Sequence, residues 1–356
     1  MTALLTQIVS FLLCHAGLAL EPNAIQGFKY FKGSEHLPGK FVFLSREDYR
    51  KDDNVSNASL YELDPKTGNL LVLKKIPFGQ LIASKSSDLV CVMPHLRTPG
   101  STSNLLYTYS RASNTVRSCN VEGEVKEVGI VGEDIFVSVE RDGKGKLLRF
   151  NHLSAKKTVV DFPGVSTARS WDFFNLSAIS NESVLHFKYR VASSPTEPLS
   201  GYRPGFYDLD IDSEKVAWSN VQHDLLAFRT SAGQYVYFKG PEAPIIGYEL
   251  VRSASDYRDK NAEVTILASY SKFSTSGNGF YMLCGISPDN RYGIVVLEKT
   301  INRKTKEPAK EYLWNGPERT YFLVDLIRGG SRKIIEDRVL ATTPYELSYI
   351  KWVYGD

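Results

Sequence analysis

Apolar and polar residues alternate in short runs along most of this chain, and the runs come in pairs separated by turn-forming residues. Between Ser59 and Leu73 one run ends at Leu63 and the next begins near Leu70, with Asp64, Pro65, Lys66, Thr67 and Gly68 between them. Proline presets the φ that a type I turn needs at its second position, and glycine adopts the left-handed conformation that closes such a hairpin with a bulge. A lone hairpin is marginal in water, so this one predicts membership of a larger sheet.

The same phrase recurs. Asn104–Tyr109 precedes Thr115–Val121, Lys146–Phe150 precedes Lys157–Phe162, Gly205–Asp210 precedes Lys215–Trp218, and Thr320–Asp325 precedes Arg332–Ile335. Each reads as a strand, a tight polar turn and a second strand. A second phrase, an apolar or alternating strand introduced by a short turn, lies upstream: Lys40–Leu44, Ser87–Val92, Glu133–Val139, Asn181–Phe187, Ala232–Phe238 and Ser287–Val296. Six units emerge, spaced by roughly 40 to 60 residues, the range of propeller blades.

Two of these stretches carry a family resemblance. Ser287, Pro288, Asp289, Asn290, Arg291 and Tyr292, followed by a buried strand, resemble the inner hairpin of TolB-like and WD40-like β-propellers. Leu60 to Asp64, continuing through Gly68, looks like the outer hairpin of the same blades. The resemblance implies an architecture and no activity. It implies an all-β, six-bladed β-propeller closed by pairing of the N- and C-terminal strands, with Glu346–Tyr354 set beside Lys40–Leu44. A seven-bladed propeller and a two-sheet β-sandwich are the alternative readings.

Composition narrows the class. Aromatic residues make up 12% of the 356, with 20 Tyr and 18 Phe, which favours β structure. The net charge of +3 is nearly balanced, and no block of five like charges occurs, so neither a nucleic-acid partner nor a polybasic lipid-binding tail is expected. Lys299–Lys310 is the densest basic stretch, but Glu307 and Pro308 interrupt it and it reads as a solvated loop.

The N-terminus changes the picture more. Ala3 to Leu20 is apolar apart from His15 and a few uncharged polar residues, and Gly17 and Ala19 occupy the −3 and −1 positions of a signal-peptidase site. Residues 1–19 therefore read as a signal peptide, or as an N-terminal anchor spanning residues 3–20, and residues 20–356 as a single propeller domain. The expected destination is periplasmic or secreted, and any membrane association would come through the uncleaved segment. Removal of Cys14 with the signal would leave Cys91, Cys119 and Cys284, an odd number with no CxxC pair. A Cys91–Cys119 bridge and two small buried thiols are both compatible with that spacing.

Candidate chemistry is sparse. The sequence has no HExxH, no paired-cysteine metal motif, no GxSxG, no Walker loop and no GxGxxG, so no cofactor and no metal are expected. His36, His95, His152 and His223 fall at turns, and His186 falls in a strand. Asp208, Asp210 and Asp212 alternate as a solvated strand face would, without the glycine-centred turn and distal Glu of a calcium loop. In a blade the connections between second and third strands are expected to be long here: Glu47–Asn57, His95–Ser103, Val191–Pro204 and Lys299–Arg319. Loops on a rigid scaffold tend to carry binding function, and Tyr49, Arg97, Tyr202, Arg203, Trp314 and Arg319 have the aromatic or guanidinium groups that dominate interfaces. A protein or other macromolecular partner is the expected ligand. The alternative is a hydrolase or lyase acting on a carbohydrate or peptide at the channel mouth.

Overall fold

The computed structural model describes residues 19–20, 25, 27–34, 36–46, 57–84, 87–94, 104–141, 144–154, 156–160, 173–178, 184–191, 203–213, 215–218, 228–229, 234–239, 247–255, 261–271, 279–302, 315–337 and 347–353. All regular structure among them is β, in six antiparallel sheets. By internal packing the chain divides into two compact units, Met1–Phe78 with Leu226–Asp356, and Gly79–Leu225.

The first unit holds three sheets. Sheet I contains β1 (Ala19–Leu20), β3 (Lys40–Arg46), β4 (Asn57–Leu63), β5 (Leu70–Pro77) and β26 (Lys351–Val353), in the order β1-β5-β4-β3-β26. Sheet V is the simple meander β18 (Phe228–Arg229), β19 (Tyr235–Lys239), β20 (Glu249–Ser253) and β21 (Val264–Ser269). Sheet VI runs β22 (Gly279–Ile286), β23 (Tyr292–Asn302), β24 (Asn315–Asp325) and β25 (Ser331–Asp337), with β2 (Phe28–Tyr30) added outside β25.

The second unit holds three four-stranded meanders. Sheet II is β6 (Gly79–Ala83), β7 (Leu89–Pro94), β8 (Leu105–Ser110) and β9 (Thr115–Asn120). Sheet III is β10 (Glu124–Val131), β11 (Asp134–Arg141), β12 (Lys144–Asn151) and β13 (Lys157–Val159). Sheet IV is β14 (Phe173–Ala178), β15 (Val184–Val191), β16 (Arg203–Asp210) and β17 (Lys215–Trp218). Repeated four-strand meanders, one of them completed by a strand from the far terminus, are the construction of a β-propeller.

The local chemistry matches the sequence reading at both motif hairpins. Asp64 Oδ1 accepts from the Lys66 amide at 2.8 Å, the Gly68 amide donates to the Asp64 carbonyl at 2.7 Å, and Gly68 has φ +83. Lys40 pairs with Asp64 at 2.7 Å. Burial pushes the Asp64 carboxyl up, but the Lys40 bond and the turn amides outweigh it and hold the pKa below its ordinary value. At the other motif the Tyr292 amide donates to Ser287 Oγ at 2.9 Å and the Arg291 amide to Asp289 Oδ1 at 3.1 Å, while Asn290 takes φ +57. Asparagine is one of the few side chains that tolerates that conformation.

Closure also follows expectation. Lys351, Trp352 and Val353 pair with Val42, Phe41 and Lys40, and a further bridge joins Ser45 to Leu347. Trp352 meets Phe41 edge-on at 4.9 Å, and Phe43 is stacked between Phe28 and Tyr61 at 5.1 and 5.6 Å. Their burial merges the facing sides of sheets I and VI into one apolar cluster with Ile294, Val296, Tyr321 and Ile335. Glu346 and Tyr354 lie outside the described residues.

Several strands depart from the pattern reading. The first strands of sheets II to VI, and the outer pair β20–β21, did not stand out as alternating runs. β1 and β2, where the N-terminal segment lines the outer edges of two sheets, were unexpected. The connection read as Lys299–Arg319 is shorter, because the β23–β24 ladder continues through Lys299↔Glu318 to Asn302↔Asn315. Asp212 leaves the proposed strand face: β16 ends at Asp210, whose Oδ1 accepts from the Ser213 amide at 2.7 Å and its hydroxyl at 2.8 Å. Those two bonds lower the Asp210 pKa, so this carboxylate caps a turn.

Candidate functional site

Four of the six residues expected to bind a partner, Tyr49, Arg97, Tyr202 and Trp314, lie outside the described residues. Arg203 opens β16, paired with Val191, so it belongs to the ladder rather than the loop. Arg319 is likewise within a strand, directly opposite Glu298 on β23.

Arg319 organises a buried polar cluster in the first unit. It is 5% exposed and Glu298 2%. Arg319 Nε donates to Glu298 Oε2 at 2.6 Å, and Nη1 donates to the Leu347 carbonyl. The guanidinium lies over the Tyr349 ring at 4.4 Å, and the Tyr349 hydroxyl donates to the same Glu298 oxygen at 2.9 Å. Burial works against the charge on Arg319, yet Tyr321 and the bonded Glu298 carboxylate outweigh it and raise the guanidinium pKa, so Arg319 stays charged. The alternation of β24 alone sends Arg319 inward, since Tyr321 and Leu323 on the same face belong to the core. The cluster pins Leu347, where the chain re-enters the closing sheet, at the end of sheets I and VI that bears the connections 47–56 and 303–314. Arg319 therefore supports that end from below. Glu298 and Tyr349, which complete the cluster, carried no signal in the sequence beyond their strand positions.

A second cluster occupies the turns of sheets II and III in the other unit. Asp88 Oδ2 accepts from Ser110 Oγ at 3.0 Å and from the Ala112 amide. Ser87 Oγ crosses to the Gly132 carbonyl at 2.7 Å. Arg149 pairs with Asp134 at 2.6 Å, and Asn151 donates to the other Asp134 oxygen at 3.0 Å. Burial, then Asp88 and Asp134, raise the Glu133 pKa. Within this region His152 is buried, with Nδ1 2.9 Å from Thr108 Oγ1. A turn histidine is expected at the surface, so nothing in the sequence marked this one as internal.

The thiols are resolved by register. Cys91 lies opposite Thr108 and Cys119 opposite Leu106, so the two cysteines point to the same side of sheet II but from strands on either side of β8. Two strand spacings, roughly 9 to 10 Å, exceed the reach of a disulfide. Both are free thiols, and burial pushes Cys91 up to about 12. Among the described residues no group of three His, Cys, Asp or Glu side chains is arranged to hold a metal ion.

No protein-family model and no curated protein sequence matches this chain. Solved structures of similar fold include TolB from Acinetobacter baumannii, at 10% identity and a TM-score of 0.46 over 88% of this chain and 66% of that one. They also include oligogalacturonate lyase from Vibrio parahaemolyticus, at 13% identity and 0.39 over 89% and 85%, and tricorn protease, at 11% and 0.40 over 89% and 36%. The chain thus spans about two thirds of TolB and about a third of tricorn protease. The TolB-like resemblance concerns architecture, and at these scores it decides neither activity nor ligand.

Proposed function

We propose that this protein is an exported, six-bladed binding module that engages a protein or other macromolecular partner through the ends of its sheets that carry the long connections. One observation carries the reading: most connections between second and third strands are long, while the hairpins within blades, that at 254–263 in sheet V excepted, are short. Sheets I, II, IV and VI leave 47–56, 95–104, 192–202 and 303–314 between those strands, whereas the turns at 64–69, 111–114, 287–291 and 326–330 are tight. Long connections on a rigid sheet supply adaptable contact surface at little cost to the core. The buried Arg319–Glu298–Tyr349 cluster supports this, because it anchors the loop-bearing end in the first unit. The apolar segment 3–20 supports export, and the reading treats residues 20–356 as one domain.

The test is a pull-down from the periplasmic or secreted fraction with the mature chain and with the double variant Tyr202→Ala, Trp314→Ala, both within the long connections. Loss of the same partner from the double variant is expected. Equal recovery by both chains overturns the site, and turnover of a glycan or peptide by the purified chain overturns the non-enzymatic reading. Mass spectrometry of the mature N-terminus is expected to find Leu20 first. An intact Met1 would remove cleavage from the proposal.

A further inference from the structure

Sheets II and III are joined by a histidine with one satisfied nitrogen. His152 sits in the turn between β12 and β13, 3% exposed, and its amide donates to the Glu133 carbonyl at 3.1 Å. Its ring leaves its own sheet and places Nδ1 2.9 Å from Thr108 Oγ1 on β8. Nε2 is buried without a hydrogen-bond partner. Orphaned buried N–H groups are rarer and costlier than orphaned acceptors, which selects the tautomer with the proton on Nδ1. In that state Nδ1–H donates to Thr108, whose own hydroxyl lies within 3.5 Å of the Arg117 carbonyl. Nε2 then presents only a lone pair. We propose that His152 and Thr108 form a latch between sheets II and III that is released when Nε2 takes up a proton. The added N–H would be a buried charged donor with no acceptor, and the ring can satisfy it only by moving toward water.

The charges around the ring come from three elements. Asp88 faces it from the β6–β7 turn, Arg117 from β9, and Glu133 lies in the β10–β11 turn whose carbonyl holds the His152 amide. Asp134, next along, is occupied by Arg149 and Asn151. Burial, then Arg117, lower the His152 pKa against the opposing pull of Asp88. A histidine depressed in the folded state leaves stability intact above its unfolded value of about 6.5, and stability falls as pH drops from there through the folded pKa. Glu133 has the opposite sign, because its raised pKa makes protonation favour the folded state as pH falls. The latch is therefore read most clearly with Glu133 neutralised.

Cys91 supplies a reporter, since it is the register partner of Thr108 and is fully buried under the same seam. The experiment labels the full chain with 4,4′-dithiodipyridine, which reacts with thiols in mild acid, at about pH 7.5 and about pH 5, and follows Cys91 by peptide mass spectrometry. Labelling should accelerate severalfold at the lower pH, and more in Glu133→Gln. His152→Asn, which keeps a donor near Thr108 but cannot ionise, should label slowly at both. Equal acceleration in His152→Asn, or none in wild type, overturns the latch. Should His152→Asn not fold, the imidazole of wild-type His152 is titrated by NMR. A midpoint at or above 6.5 overturns the proposal, and one below it supports the latch.

Discussion

Two seams in this molecule bury polar groups equally deeply and resolve them differently. Between sheets I and VI the contact is ionic: Glu298 accepts from both Arg319 and Tyr349, and Arg319 also donates to a backbone carbonyl, while the neighbouring Tyr321 hydroxyl is buried without a hydrogen-bond partner. Between sheets II and III it is neutral and half-satisfied, with His152 bonded through one nitrogen only. What a buried polar group contributes thus depends less on its charge than on how many of its valences find partners. The ion-paired seam should fail on loss of either partner, whereas the histidine seam should yield to protons.

The sharpest way to break the comparison is Arg319→Ala, which strands the Glu298 carboxylate in the core. We expect a loss of about 3–5 kcal/mol in urea unfolding. Arg319→Met with Glu298→Met should recover most of it, because an apolar pair needs no partners. Gly39→Ala comes next. Gly39 has φ +71 and an added Cβ would meet the Val353 carbonyl oxygen at 2.2 Å. The strained backbone and displaced closing strand should cost about 2 kcal/mol, seen as a lowered urea midpoint and faster amide exchange in Lys351–Val353.

The pH comparison is smaller in energy but discriminates better. Between about pH 7 and pH 5 the urea midpoint of wild type should fall, and His152→Asn should remove the part of that slope due to the imidazole. Arg319→Met with Glu298→Met should leave the imidazole's part of that slope unchanged, since both residues belong to the other compact unit. The smallest effect is expected at Lys40→Met. The Lys40–Asp64 bridge leaves 21% of each side chain exposed, so its loss should cost under about 1 kcal/mol.

The repeat was legible because strand alternation and turn chemistry are local. Asp64, Pro65 and Gly68 specify one hairpin, and Ser287, Asp289 and Asn290 another, through bonds spanning five residues or fewer. The first strands of sheets II and III were harder to read, since β6 has only Leu81, Ile82 and Ala83 as an apolar run, and Lys126, Glu127 and Gly129 interrupt that of β10. The candidate site was legible only as residue types. Arg319 was read as a partner-binding residue of a loop, whereas it stands in β24, because a guanidinium reads as a surface group until a carboxylate is found opposite it. Glu298 stands 21 residues earlier in sequence, and Tyr349 51 residues beyond Glu298.

By itself the sequence determined the element type, the turns, the recurrence of a strand-and-hairpin unit and the use of the C-terminus to complete the first sheet. All of these follow from backbone preferences and from an alternation that one stretch of chain can display. Tertiary structure decided which polar residues are internal, which thiols cannot pair, and where the N-terminal segment adds β1 and β2 to the sheet edges. Those outcomes depend on register between strands far apart in sequence, and on whether a buried donor or acceptor meets its complement. Neither is written in any single segment of the chain.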